Sequence, residues 1–380
     1  MRSNIHDLLV IGGGIVGASA AYHSARLGRD TVLVDGAHTG QATAAGAGII
    51  APGTSRRTGA ELDLARDAAQ FYPELISHLA EDTGVERAAE EVGALLVARS
   101  DEEAERLTSV GEHAAELREG GMPFIGDISL LDEREAREYF PALGPITAAL
   151  HQSRAMRVNG RVVRDALIRG AERRGARVVR GHAQLLRDHP DAVTVEVDGE
   201  VIRASAAILA TGAWTGRLSA ELGVRLPVVP QRGQIVHLEM PDAVTTSWPI
   251  VVGFHSHYIL TFPERRVVIG ATRETGSGFD PRVTAAGVRE VLEQGLSLAP
   301  GLAGGTIGKI RVGLRPATPD GLPVLGRLPG HDSLYVATGH GPSGLHLGPY
   351  SGAAVAEIAL GIDGGEQLAP FSPARFVASG

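Results

Sequence analysis

Asp7-Leu-Leu-Val-Ile-Gly12-Gly-Gly14-Ile-Val-Gly17 opens the chain, and Asp35 follows a second apolar run, Thr31-Val-Leu-Val34. Leu8 to Ile11 read as a buried strand, Ile15 to Leu27 as a helix and Thr31 to Val34 as the next parallel strand. Gly12, Gly14 and Gly17 therefore fall on a strand-to-helix turn. There a dinucleotide pyrophosphate lies against backbone N–H groups and the positive end of the helix. Gly12 permits the tight turn. Gly14 leaves out the Cβ that would block the phosphates, and Gly17 lets helix and strand pack closely. Asp35 is placed to accept hydrogen bonds from a ribose. The joint spacing of strand, helix, second strand and acid favours a nucleotide over a glycine-rich turn that holds no ligand.

A chain of 380 residues is long enough to bury a large core and suggests two domains. Its 36 basic and 44 acidic residues give a formal charge of −8, and no basic patch points to nucleic acid. Arg56-Arg57 and Arg173-Arg174 read as solvated faces. The absence of cysteine excludes disulfides, iron–sulfur clusters, a redox dithiol and a thioether-linked flavin. It fits a reducing compartment, and the expected location is the cytoplasm. No apolar stretch approaches the ~20 residues of a membrane span. The first apolar run enters the glycine turn directly, so it reads as a fold element rather than a signal peptide.

Helical periodicity is expected for Ala60 to Leu79, Asp101 to Glu119, Val162 to Arg174, Val283 to Leu298 and Gly352 to Leu360. The Glu/Arg-rich stretch from Glu86 to Arg137 reads as solvent-facing helices around one apolar strand, Ala94 to Ala98. Further strands are expected at Arg177–Arg180, Thr194–Val197, Ala206–Ala210, Gly233–Leu238, His257–Thr261, Val267–Gly270 and Leu334–Ala337. Alternation between Gly233 and Gly270 predicts an antiparallel sheet distinct from the parallel one. The fold class is thus α/β (α+β overall): a Rossmann-like nucleotide domain with an inserted mixed or antiparallel substrate domain. Residues 1–80, 150–228 and 312–380 are assigned to the first, and 81–149 and 229–311 to the second.

Four features together resemble the D-amino-acid-oxidase class of flavoproteins, which includes glycine oxidase, sarcosine oxidase and D-amino-acid dehydrogenase. They are the opening fingerprint, the small-residue segment from Gly40 to Ile50, Ala210-Thr-Gly212-Ala-Trp214, and a C-terminal pair. That pair is Gly313-Leu-Arg315-Pro-Ala-Thr-Pro-Asp320-Gly-Leu-Pro323-Val-Leu-Gly326 and Ala337-Thr-Gly-His340-Gly-Pro-Ser-Gly344-Leu. The resemblance implies non-covalent FAD, since no cysteine occurs where sarcosine-oxidase relatives attach theirs. Residues 43 to 48 have almost no side chains, so a flat ring could press on their backbone; the alternative is a flexible loop. The implied cofactor contacts begin with Gly12, Gly14, Ile15, Val16, Gly17, Asp35 and Gly36. They continue with Thr43, Ala44, Ala45, Gly46, Gly48, Ile49 and Gln184, then Thr211, Gly212 and Trp214. Arg315, Gly341, Pro342, Ser343, Gly344 and Leu345 complete the set. The loop from Gly339 to Leu345, with the helix start behind it, would face the negative charge of a reduced flavin.

Three residues are the catalytic candidates. Arg315 sits between Leu314 and Pro316, and its planar fork matches a carboxylate. The resemblance gives it the substrate carboxylate; the alternative is a salt bridge to Asp320 or another acid. Tyr258 is implied to approach the same carboxylate, or else packs in its sheet. His340 either contacts the flavin or caps and packs. Arg232 reads as an interdomain ion pair or a site residue, and His255 and His257 are not read as metal ligands. No metal site is expected. Some relatives carry a second arginine in the loop that here reads Gly341-Pro-Ser-Gly344. Its absence argues for a different or larger substrate than glycine.

The expected reaction is oxidation of the CH–N bond of an amino acid or N-alkyl amino acid by hydride transfer to flavin. The imine would hydrolyse to a keto acid plus ammonia or an amine. Oxygen, a quinone or another acceptor would take the electrons. A flavin-dependent 2-hydroxy-acid dehydrogenase and a non-catalytic flavin-binding protein remain alternatives, and homo-oligomerisation stays open.

Overall fold

The computed structural model describes residues 5–377 apart from 56, 190–191, 242–244 and 256. Three sheets organise it. The first has the order Ala183–His189, Ala192–Val197, Glu200–Leu209, His6–Ile11, Thr31–Asp35, Arg177–Arg180. The last four of these strands are parallel, as is Leu334–Thr338 beside the end of Glu200–Leu209. Leu8 and Val10 pack into one core, and Leu9 and Ile11 into another on the opposite face. Two covered faces are why the strand reads as an unbroken apolar run.

The helix Ile15–Arg26 lies on one face and packs against the C-terminal helix Gly344–Ala359. Small residues set that approach: a Cβ on Gly352 would lie 2.2 Å from the Val16 carbonyl. The C-terminal helix begins eight residues before the expected Gly352 and runs through Pro349. Pro349 has no N–H, so the Leu345 carbonyl loses its helical donor. The buried Tyr72 hydroxyl, from helix Gly59–Thr83, donates to that carbonyl instead. The Ser19 hydroxyl donates to the Pro349 carbonyl at 2.6 Å. Tertiary partners thus hold a helix that local sequence rules would end.

The second sheet runs Glu274–Thr275, Val229–Glu239, Arg266–Gly270, Tyr258–Phe262, Ile250–Gly253, Ala94–Ala98, Ala148–Gln152, Ile128–Leu131. Thr306–Ala317 pairs with the other edge of Val229–Glu239. The sheet is mixed, because Ile250–Gly253 runs parallel to Ala94–Ala98. Ala148–Gln152 and Thr306–Ala317 run across the domain boundaries expected after residues 149 and 311. A small third sheet joins Gly48–Ile50 and Ala89–Glu91 to Met156–Val158. In the acidic helix Asp101–Glu119 only Leu107 and Ala114 are buried, as its composition suggests. Among the described residues no helix is long and apolar enough to cross a membrane.

The strand Thr306–Ala317 bears most on the site. The Leu314 N–H donates to the Gly40 carbonyl at 2.8 Å, and Gly313 presses on the turn Ala42–Ala45. A Cβ on Gly313 would stand 2.9 Å from the Ala45 Cβ. This contact brings the second sheet against the small-residue segment and carries Arg315 into the cavity between them.

Candidate active site

A cavity of about 820 Å³ is lined by the glycine turn, the Ala42–Ile49 segment, Ala210–Trp214, Tyr258, Arg315 and the His340–Leu345 loop. Its glycines have the geometry a nucleotide cradle needs. Gly12 has φ +109°, and a Cβ there would meet the Ala210 carbonyl oxygen at 2.4 Å. A Cβ on Gly17 would lie 1.9 Å from the Gly12 oxygen, so the helix sits directly on the turn. At Gly14 a Cβ would meet only Thr43 Oγ1, at 3.5 Å, leaving its cavity side open. Gly13, which the sequence did not single out, lies against the Asp35 carboxylate, 2.7 Å from where its Cβ would be.

The nearby polar groups are already engaged with one another. Thr43 Oγ1 accepts the Ile15 N–H at 3.0 Å, taking one N–H that the helix start cannot satisfy internally. Asp35 is 7% exposed. Its Oδ2 accepts from Arg164 at 2.8 Å, and its Oδ1 from Gln41 at 3.1 Å and from the Ala37 N–H at 3.3 Å. A carboxylate offers about four acceptor sites, so one stays open to a ribose hydroxyl. His38 stacks on Trp214 with ring centroids 4.7 Å apart, and His182 lies 4.7 Å from His38. All three line the cavity.

Most of the expected cofactor contacts line this cavity: Gly12, Gly14, Ile15, Val16, Asp35, Gly36, Thr43, Ala45, Gly46, Gly48, Ile49, Thr211, Gly212, Trp214, Arg315 and Gly341 through Leu345. Three do not. Gln184 is exposed on the strand Ala183–His189 while its neighbour Ala183 lines the cavity, since strand alternation puts adjacent side chains on opposite faces. Gly17 is consumed in helix packing. Ala44 turns its carbonyl away, to Arg161 at 2.8 Å.

Arg315 and Tyr258 each lie over a glycine. A Cβ on Gly233 would be 2.5 Å from the Arg315 guanidinium carbon, and one on Gly270 would be 2.6 Å from the Tyr258 hydroxyl. Arg315 lies within the strand Thr306–Ala317. It makes no salt bridge to Asp320, which pairs with Arg375 at 2.8 Å. Its Nη1 donates to the Thr272 carbonyl at 2.8 Å. Burial pulls the Arg315 pKa down, and the charge of Arg273 adds to this. Burial raises the Tyr258 pKa, while Arg315 and Arg273 pull it down. Arg273, missed in the sequence, lines the same cavity. The Gly341–Gly344 loop brings no arginine to the cavity wall, while Arg273, between the strands Arg266–Gly270 and Glu274–Thr275, does.

His340 is 3% exposed, and its Nε2 has no partner among the described residues. Burial pushes its pKa down to about 4, so the ring is neutral at pH 7. Arg57, expected on a solvated face, lines the cavity instead. It donates to Ser343 Oγ at 2.7 Å and to Glu61 at 2.8 Å; Arg56 lies outside the described residues. Arg173 and Arg174 both bind Asp82. Arg232 forms an ion pair, as one reading held, but with Glu274 at 2.6 Å on the strand paired with its own and with Asp280 at 3.1 Å. His255 and His257 do not line the cavity.

The buried, unpartnered His340 nitrogen, the open side of Gly14 and the bare Thr43–Gly48 backbone fit a flavin dinucleotide. A family model described as FAD dependent oxidoreductase (DAO) matches residues 7–358. An "uncharacterized oxidoreductase YurR" of Bacillus subtilis (strain 168) is 41% identical over 97% of this chain and 99% of its own. The glycine oxidase of Geobacillus kaustophilus (strain HTA426) is 30% identical over 98% of this chain and 97% of its own. Among solved structures, iminodiacetate oxidase from Chelativorans sp. BNC1 superposes with a TM-score of 0.90 at 39% identity, covering 96% of this chain and 98% of that one. Glycine oxidase from Geobacillus kaustophilus gives a TM-score of 0.84 at 28% identity, over 97% and 98% of the two chains.

Proposed function

The chain belongs to the FAD-dependent oxidoreductase (DAO) family, and we propose that it oxidises the CH–N bond of a small amino acid whose nitrogen carries a second, carboxylate-bearing arm. The observation that supports this most is the grouping of Arg315, Tyr258 and Arg273 in one cavity, with no carboxylate ion-paired to either arginine among the described residues. The likeness to iminodiacetate oxidase points the same way, because that protein's name describes a diacid joined through nitrogen.

Arg315 binds the α-carboxylate with its planar fork, and Tyr258 donates its hydroxyl to the same group. Their shared sheet face fixes the carbon next to the nitrogen. Arg273 attracts the second carboxylate, which a monoacid lacks. FAD, when bound by the glycine turn and the His340–Leu345 loop, supplies the hydride acceptor. The loop N–H groups and the start of helix Gly344–Ala359 present positive polarity at that place. His340 stays neutral above about pH 5 and adds shape rather than charge. The substrate amine reacts unprotonated; it gives up a hydride from carbon and a proton from nitrogen, and the imine is hydrolysed by water. Positioning by Arg315 and Tyr258 serves this chemistry more than a strong base would.

The test is an anaerobic screen of the FAD-loaded protein with iminodiacetate, sarcosine, glycine, D- and L-amino acids and 2-hydroxy acids. Bleaching of the oxidised flavin should be fastest with the diacid. Bleaching by 2-hydroxy acids alone, or by none of the set, would overturn the proposal. Admission of air then separates an oxidase from a dehydrogenase.

A further inference from the structure

A group of cations lies beside the flavin-binding turn and has no role in the chemistry above. Strand register places His237 opposite Lys309, and Ile235 opposite Arg311. His237, Lys309 and Arg311 therefore share one face of the ribbon formed by Val229–Glu239 and Thr306–Ala317. Arg266 enters from the next strand, with its guanidinium 4.5 Å from the Phe262 ring centre. Arg161, at the start of helix Gly160–Arg173, completes the group. Arg161 and Arg311 both donate to the Ala44 carbonyl, at 2.8 and 3.5 Å.

Among the described residues, Arg161, Arg266, Lys309 and Arg311 form no ion pair. The acids nearby are Glu264, which acts on Arg266, Glu239, whose carboxylate lies against Gly308, and Glu90, which shares a small cavity with Arg266 and is paired with Arg157 at 2.7 Å. His237 is 6% exposed, and its Nε2 has no partner among the described residues. Burial and the four surrounding cations push its pKa down to about 4. Burial and the charges of Arg161 and Arg266 bring Arg311 down to about 10. Gathering like charges in partly desolvated surroundings is costly unless an opposite charge joins them.

We propose that Arg161, Arg266, Lys309, Arg311 and His237 form a binding site for a small multivalent oxyanion of the phosphate type, separate from the substrate cavity. Guanidinium forks suit paired oxygens, and the exposed Lys309 adds a point charge. The site is coupled to the cofactor. Ala44 belongs to the turn Ala42–Ala45, and its neighbours Thr43 and Ala45 line the flavin cavity. An anion held by Arg161 and Arg311 fixes the two side chains that grip Ala44, and so steadies that turn.

The experiment measures thermal midpoint and FAD dissociation rate of the holoprotein against inorganic phosphate, with chloride at matched ionic strength as the reference. Wild type, Arg311→Gln and Lys309→Gln are compared. Wild type should show a saturable rise in midpoint and a several-fold slower loss of FAD. Arg311→Gln should start at an equal or higher midpoint, because like-charge repulsion is relieved, and need at least tenfold more phosphate. Lys309→Gln, at an exposed position, should fold normally and weaken phosphate binding less. Glycerol phosphate binding tighter than phosphate would identify an organic phosphomonoester as the ligand; weaker binding would identify the free ion. Phosphate also stabilises proteins by exclusion from their surface. An equal phosphate response in all three proteins, or no difference from chloride, therefore overturns the site.

Discussion

Replacing Arg315 by alanine removes the guanidinium proposed to hold the substrate carboxylate. Among the described residues that guanidinium has one hydrogen bond, to the Thr272 carbonyl at 2.8 Å, and no ion pair. Truncation leaves one carbonyl short of a donor and relieves a buried charge. The fold should therefore change in stability by no more than about 1 kcal/mol. Binding has no such compensation, because the substrate carboxylate would enter the cavity without its partner. Loss of a desolvated pair costs about 2–4 kcal/mol, or about 30-fold to about 900-fold in kcat/KM. Arg315→Lys keeps the charge but loses the fork, and should fall between. Anaerobic stopped-flow reduction across a substrate series separates the dissociation constant from the limiting rate. The loss should lie mainly in the dissociation constant, with a smaller fall in rate from poorer alignment. A flavin-loaded Arg315→Ala protein that is reduced with wild-type constants would refute the role.

Arg273→Gln should lower kcat/KM for iminodiacetate by tenfold or more while changing sarcosine much less; equal losses on both would remove Arg273 from second-carboxylate recognition. Gly17→Ala would place a Cβ 1.9 Å from the Gly12 oxygen, so helix and turn must separate. The purified variant should be largely colourless and take up added FAD poorly, and a fully yellow protein would contradict the packing argument. Four histidines, three buried and His23 partly so, have pKa values pushed down, His23 and His346 to about 3 and His237 and His340 to about 4. Between pH 6.5 and about 4 the unfolded chain binds protons at these sites that the folded one does not. Stability should thus be greatest above about pH 6.5 and fall as pH drops, with unfolding at pH 5 taking up as many as about four protons. Denaturant titrations from pH 8 to pH 5 read this directly, and a flat profile would refute it.

The nucleotide half was legible because its signals are local. Strand, glycine turn, helix and second strand occupy Leu8 to Asp35, and Gly13 and Gly17 serve contacts within that span, whereas Gly12 lies against Ala210. Arg315 was legible through the motif around it. Other features required the assembled sheets. Nothing near Arg273 distinguishes it in sequence. It joins Tyr258 and Arg315 only because Tyr258 pairs with Gly270, three residues before it, and because Thr306–Ala317 pairs with Val229–Glu239. Arg57 meets Ser343 across 286 residues, which no periodicity reveals. The last helix was expected only from Gly352, yet it starts at Gly344 and passes through Pro349, where Tyr72 supplies the missing donor from another helix. Backbone conformation within a turn is fixed by neighbours along the chain, so the strand, glycine turn and helix start were readable from the sequence by itself, whereas their closure against Ala210 and Thr43 was not. The convergence of guanidiniums in the cavity depends on strand register between distant segments, and only the tertiary structure decided it.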